Sequence, residues 1–336
     1  MDYLRTLKGD AVVSISADFD YISATADFVG LRLLPMVRTE NLKVAIYNLL
    51  GGHNIPVAAL VHALDSEARI GDRPEYEEIN QELFLIKQKL NQGEELRKKI
   101  KDLGMSNDDR TILTAIYDDV TNLISSVLTG FERRACELIS TGKITINENG
   151  ATRVIDYKHS VSNSVAVSGW SDPAHDIFAD IIAVNKVANN KIVRAIISSK
   201  IMGYMTANAK LNAFASNANE YVTEAFVKNF VLNKFNIELI VDDRVFQTAY
   251  RGGKTARFFD EDTISWLTTR NTLGYTFMTS TPTEDANDTD ATYGFIAVDV
   301  WTEDHDPHIT WSMAEGMGLP VIADINNTLY LSKVTA

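Results

Sequence analysis

The sequence predicts an α+β protein organised round one unusually long helix, and three observations carry that expectation. Ile112, Ile116, Val120, Leu123, Val127, Phe131, Ala135 and Leu138 recur at spacings of three and four, a single apolar stripe. Asn149-Gly150, the dipeptide of a tight hairpin turn, follows between two short β-branched runs. From about residue 175 the texture changes to short helical and strand-like segments in alternation.

Bulk properties set the frame. The chain has 336 residues, of which 45% are apolar and 23% charged, an ordinary globular balance that supports a sizeable core. Its formal charge of -13 argues against a free-standing nucleic-acid binder, which needs clustered Lys and Arg. The single cysteine, Cys136, cannot form an intrachain disulfide. It sits at the border of the long helix's stripe as a small packing residue. No run approaches the ~18 apolar residues of a membrane span. The first ten residues lack the pattern of a signal peptide, so a cytoplasmic setting is expected.

Taken in order, residues 1–41 mix short apolar runs (Asp18-Phe19-Asp20-Tyr21-Ile22, Leu31-Arg32-Leu33-Leu34-Pro35) with no long period. They read either as an extended arm that needs a partner surface or as an ordinary N-terminal strand and helix. Residues 44–50 read as a strand that Gly51-Gly52 breaks, and residues 83–87 as another. The charged, turn-rich excursion between them, from Asp65 to Glu75, reads as a protruding β-loop that buries little by itself. Residues 91–105 read as a short solvated helix, weakly supported by Glu94–Lys98 and Glu95–Lys99 pairs at a spacing of four. The long helix then starts near an expected N-cap at Ser106 and stops at Gly142. At roughly 35 residues and ~1.5 Å per residue it would span ~50 Å. Gly130 is its expected weak point, at ~1 kcal/mol relative to Ala. A two-residue turn at Asn149-Gly150 would set Ile144 opposite Ile155.

Beyond the hairpin, 161–167 reads as a further alternating strand. Helices are expected over 176–188, 207–215 and 218–232, and strands over 192–197, 237–241, 273–279, 294–301 and 328–334. Residues 280–291 read as an acidic loop.

Motifs that could carry chemistry are incomplete. Arg251-Gly252-Gly253-Lys254-Thr255 has half of a phosphate loop, but the first glycine of that pattern falls on Thr248, and an extended segment follows where a helix is required. Asp285, Asn287, Asp288 and Asp290 lack the glycine and the bidentate glutamate of a calcium loop. Glu303, Asp304, His305, Asp306 and His308 form the best metal-like cluster, yet Pro307 separates the two histidines and no Cys joins them. The remaining histidines are scattered and no nucleophile elbow is present. The sequence therefore predicts no catalytic, cofactor or metal site.

What remains is an ordered set of weak motifs: Ala68-Arg69-Ile70-Gly71-Asp72-Arg73-Pro74 between strands, Trp170-Ser171-Asp172-Pro173 with Asp176-Ile177 leading into a helix, and Gly318-Leu319-Pro320-Val321-Ile322-Ala323-Asp324 with Asn326-Asn327 before a last strand. In this order, with the size and the long helix, the chain resembles the major capsid proteins of tailed bacteriophages, of the lambda major-head-protein (capsid protein E) family. The resemblance implies a Hong Kong 97-like fold. Residues 1–41 would be the N-terminal arm, 42–90 the extended loop and 91–174 the peripheral domain with its spine helix. Residues 175–315 would be the axial domain, and 316–336 the C-terminal return to the peripheral domain. It further implies an icosahedral shell of hexamers and pentamers of this chain, assembled in a host cytoplasm. The partners would be a scaffolding protein, a portal, an optional decoration protein, and DNA enclosed without sequence-specific binding. On this reading Arg69 and Arg73, beside Glu67 and Glu75, are candidates for intersubunit ion pairs, against solvated loop charges worth ~0–1 kcal/mol each. Competing readings are a nanocompartment shell of the same fold, a metal-dependent hydrolase using residues 303–308, and a tail-tube protein, against which the long helix argues.

Overall fold

The computed structural model describes residues 27–49, 76–92, 109–148, 150–217, 221–248, 252–286, 291–293, 295–303 and 309–335. These fall into two compact units. The first takes its described residues from Met1–Val44, Glu82–Ala135 and Gly274–Val321, the second from Ala45–Gln81, Cys136–Leu273 and Ile322–Ala336.

The long helix is present as Asp109–Thr141, and its described stripe residues Val120, Leu123, Val127, Phe131, Ala135 and Leu138 are all buried. Cys136 is buried as well. The helix ends where the stripe ends. Gly142 takes φ +71° and its N–H donates to the Leu138 carbonyl at 2.8 Å, a left-handed C-terminal cap that a side chain would strain. The expected start at Ser106 lies outside the described residues.

In the first unit the helix packs on a six-stranded sheet. Its longest strand, Thr310–Ile322, lies antiparallel to Phe84–Gln92 and to Ile296–Thr302. Gly274–Thr279 neighbours it on the same sheet and pairs in parallel with Met36–Arg38. Two residues of the long strand, Gly316 and Gly318, lie against the helix at Phe131. Gly316 stands where a Cβ would come within 3.0 Å of Phe131 and 3.4 Å of Val127. At Gly318 a Cβ would run into Met278 and lie 2.8 Å from the Phe277 carbonyl oxygen. Phe131 also stacks on Phe84 with ring centroids 5.8 Å apart. Gly130 has a packing reason too: the Ile86 side chain sits 3.0 Å from where its Cβ would be. The helix forgoes propensity there and gains a close approach of strand to helix.

Residues 27–41 dock on their own chain, so for this stretch the partner surface expected from sequence is supplied within the subunit. Leu31, Leu33 and Leu34 are buried. The Glu132 carboxylate, fully buried, accepts the backbone N–H groups of Val29, Gly30 and Leu31 at 2.9, 2.9 and 2.7 Å. These are donors that the short helix Gly30–Leu33 cannot satisfy internally. A charge placed there also favours the positive helix end.

The second unit holds a five-stranded sheet in the order Val167–Ser168, Leu329–Thr335, Thr263–Leu267, Arg194–Ile197, Glu238–Val241. The helices Ile177–Val187, Ser199–Ala207, Ala209–Asn217 and Glu224–Phe235 accompany it. Ile177, Ile181, Ile197, Ile201, Val227, Val231, Trp266 and Tyr330 share one apolar core. The two-stranded hairpin Lys143–Glu148/Ala151–Asp156 has the expected register, with Ile144 opposite Ile155 and both buried. The strand expected over 161–167 is instead a 3₁₀ turn, Val161–Asn163, and a two-residue strand. Val161 is 86% exposed, but Asn163 and Val167 are buried and Val165 packs on the core, so the alternation marks a buried face from 163 to 167 although most of the run is not in a strand.

Glu132→Ala should cost more than about 3 kcal/mol, since three buried N–H groups lose their acceptor at ~1–3 kcal/mol each. Urea unfolding checks the magnitude. Limited proteolysis checks the mechanism, with new cleavage expected within residues 27–41 while the rest of the chain resists.

Candidate functional site

The Trp170–Ile177 string folds into a closed local network in the second unit. Gly169 adopts φ +79°, and the N–H of Asp172 donates to its carbonyl at 3.0 Å. Asp172 Oδ1 accepts the Ala174 N–H, and Asp176 caps the helix Ile177–Val187. Asp180, one turn into that helix, accepts with a single oxygen, Oδ2, from Trp170 Nε1 at 2.7 Å and from His175 Nε2 at 2.8 Å. A carboxylate oxygen can only accept, so His175 carries its proton on Nε2. Asn208, fully buried, donates to the His175 and Pro173 carbonyls. The side chains of Trp170, Asp172, His175, Asp176, Asp180 and Asn208 hold the chain's path here, which fits a structural junction.

A second polar cluster roots the exposed ribbon Val245–Gln247/Thr255–Arg257. Asp243 accepts the Ser199 N–H at 3.1 Å and the Arg257 guanidinium at 2.7 Å. Burial alone would raise its carboxyl, but these donors win and hold it below the usual carboxylate range. Lys200 pairs with Asp262 at 2.8 Å and Glu261 at 3.4 Å, while Arg244 pairs with Asp242 and lies 5.0 Å from the Phe258 ring centre. These pairs tie a loop to a helix start.

His159 is a third positioned group. Its Nε2 lies 3.0 Å from the Leu329 carbonyl and so donates to it, and its Cβ occupies the space that Gly142 leaves open. Burial pushes its pKa down, against the opposing pull of the Leu329 carbonyl and Asp156.

The residues expected from sequence to carry contacts or chemistry are placed as follows. Glu67, Arg69, Arg73 and Glu75 lie outside the described residues, as do Asp304, His305, Asp306 and His308. Glu303 accepts the Trp311 Nε1–H at 2.9 Å. Among the described residues no group of three or more His, Cys, Asp or Glu is gathered to hold a metal ion. The Gly252–Thr255 segment leads into the strand Thr255–Arg257; the Thr248 N–H donates to the Lys254 carbonyl and the Lys254 N–H to Thr248 Oγ1. Of the acidic loop, Asp285 ends a short helix, Pro282–Asp285, whose Thr281 and Glu284 form a capping box. No helix among the described residues is long and apolar enough to cross a membrane.

Sequence reasoning missed an aromatic surface. Phe178, Phe214, Phe226, Phe230 and Phe235 form a chain of ring contacts with centroids 5.4–6.2 Å apart. The Lys234 ammonium lies 4.6 Å from the Phe178 ring centre and 5.4 Å from that of Phe230. The signal was there: Phe226, Phe230 and Lys234 follow one another at intervals of four.

No family model matches the chain, and no curated protein matches it by sequence. Solved structures do. A protein assigned as a prophage capsid protein of E. coli CFT073 is similar over 95% of this chain and 94% of that one, with TM-score 0.59 and 17% identity. The chain has the Hong Kong 97-like capsid fold. A phage-related protein of Bordetella bronchiseptica RB50 is similar over 95% of both chains, with TM-score 0.53 and 12% identity. The capsid fold accounts for the coexistence of a long helix on a long strand with a separate sheet-and-helix unit.

Because the pKa of His159 is lower folded than unfolded, the unfolded chain binds more protons between the two values. The stabilisation is therefore complete above the unfolded value of about 6.5 and declines as pH falls toward the folded one. Melting temperature should drop between pH 7.5 and 5.5, and His159→Gln should flatten that slope. An unchanged slope in thermal melts would contradict this role.

Proposed function

We propose that this chain is a major capsid protein, of the lambda major-head-protein (capsid protein E) family, which assembles as hexamers and pentamers into an icosahedral shell round a phage genome. The observation that carries the reading is the likeness to an assigned prophage capsid protein over nearly the full length of both chains. The ordered motifs of the sequence support it, as do polar clusters spent on holding the fold. The role is structural, without catalysis, cofactor or metal.

In this reading residues 1–41 are the arm, 42–90 the loop that reaches a neighbour, 91–174 the peripheral domain, 175–315 the axial domain and 316–336 the return. Assembly takes place in a host cytoplasm and the product is the virion capsid. A scaffolding protein and a portal are the protein partners, with a decoration protein optional. DNA is enclosed without sequence recognition, and a net charge of -13 limits adhesion to the chain as a whole. Glu67, Arg69, Arg73 and Glu75 make intersubunit ion pairs. Each is weak, but a closed shell repeats it many times.

Electron microscopy of the purified chain, alone and with scaffolding protein, tests this. Closed shells or hexameric and pentameric rings are expected, holding DNA in the mature particle. Arg73→Glu should lower shell yield several-fold without changing the subunit's melting temperature. A chain that stays monomeric under all these conditions contradicts the reading.

A further inference from the structure

The aromatic surface of the second unit is unusual for a protein with so many carboxylates. Phe178, Ile182, Phe214 and Lys234, with Lys210, line a groove of about 540 Å³ between the helices Ile177–Val187, Ala209–Asn217 and Glu224–Phe235. Phe230 links it to a second groove of about 630 Å³ lined by Tyr221 and Phe226. Phe214 is 48% exposed and Tyr221 90%, so the ring contacts do not close the surface off. Exposed aromatic patches of this kind mark interaction sites.

Charge decides what fits. Lys210 is neutralised by its ion pair with Asp176 at the rim. Lys234 has no carboxylate partner among the described residues, and its ammonium is shared among the faces of Phe178, Phe214, Phe230 and Phe235. An aromatic shelf whose cation pairs with no described carboxylate is complementary to an apolar surface that brings one. The chain carries 45 acidic against 32 basic residues, so another copy presents carboxylates in excess.

We infer that this groove, from Ile182 through Phe214 and Phe230 to Tyr221, receives a carboxylate-bearing surface of a second copy of this chain. A face that accepts a different patch of the next copy is heterologous, the kind of contact that closes rings. The inference rests on the shell reading and names one of its contact faces.

The test compares wild type with Phe214→Asp, Lys234→Glu and Lys234→Arg, all at exposed positions, by sedimentation and electron microscopy of assembled particles. Thermal melting of the free subunit serves as the control for folding. Phe214→Asp and Lys234→Glu should each lower the assembled fraction at least tenfold with the melting temperature unchanged, and Lys234→Arg should assemble as wild type does. If wild type assembles and both disruptive variants assemble equally well, this inference fails and the shell reading stands. If wild type never associates, both fail.

Discussion

The close approach of the long helix to the strand Thr310–Ile322 governs the first unit. Two glycines, Gly316 and Gly318, let the strand come down on Phe131, and Gly130 lets Ile86 come in beside it. Packing at this density transmits displacement instead of absorbing it. Glu132, the next residue along the helix, accepts the backbone N–H groups of Val29, Gly30 and Leu31. Two consecutive residues thus set the sheet and the segment 29–31 on one helix. A fully buried side chain such as Phe131 contributes on the order of 1.5–3 kcal/mol. The buried carboxylate contributes by removing the cost of orphaned N–H groups.

The second unit depends on elements far apart in sequence. Its central strand Thr263–Leu267 lies between Arg194–Ile197 and the C-terminal strand Leu329–Thr335, so residues near the end of the chain complete the core. Asp180 fixes the entry to the helix Ile177–Val187, and His159 ties the Leu329 carbonyl to the end of the long helix at Gly142. Such long-range closure yields a well-defined block whose surface can be matched to another. Under the proposed shell role such a block would matter, because small errors at each contact accumulate round a closed lattice.

The elements with a clean period were legible from sequence. The stripe from Val120 to Leu138 gave the long helix, Gly142 its end, and Asn149-Gly150 the register of Ile144 with Ile155. The long strand Thr310–Ile322 was not read, because Gly316, Gly318 and Pro320 look like turn signals. In the fold the two glycines are packing residues, and only their tertiary neighbours Phe131, Val127, Phe277 and Met278 reveal it. Thr281-Pro282-Thr283-Glu284 was a readable capping box inside a stretch dismissed as an acidic loop. The aromatic groove was half-readable, since Phe226, Phe230 and Lys234 are spaced by four, but Phe178 and Phe214 join them only through tertiary folding.

Hydrogen exchange of the free subunit, read residue by residue, tests most directly whether the Phe131–Glu132 contact is the fixed point. The slowest amides should lie at 123–138 and 313–319 and exchange only through global unfolding. The amides of Val29, Gly30 and Leu31 should be protected with them because they donate to Glu132. If those three exchange at the rate of an open chain, or if the long strand exchanges faster than the exposed 143–156 hairpin, the helix–strand contact does not organise the unit.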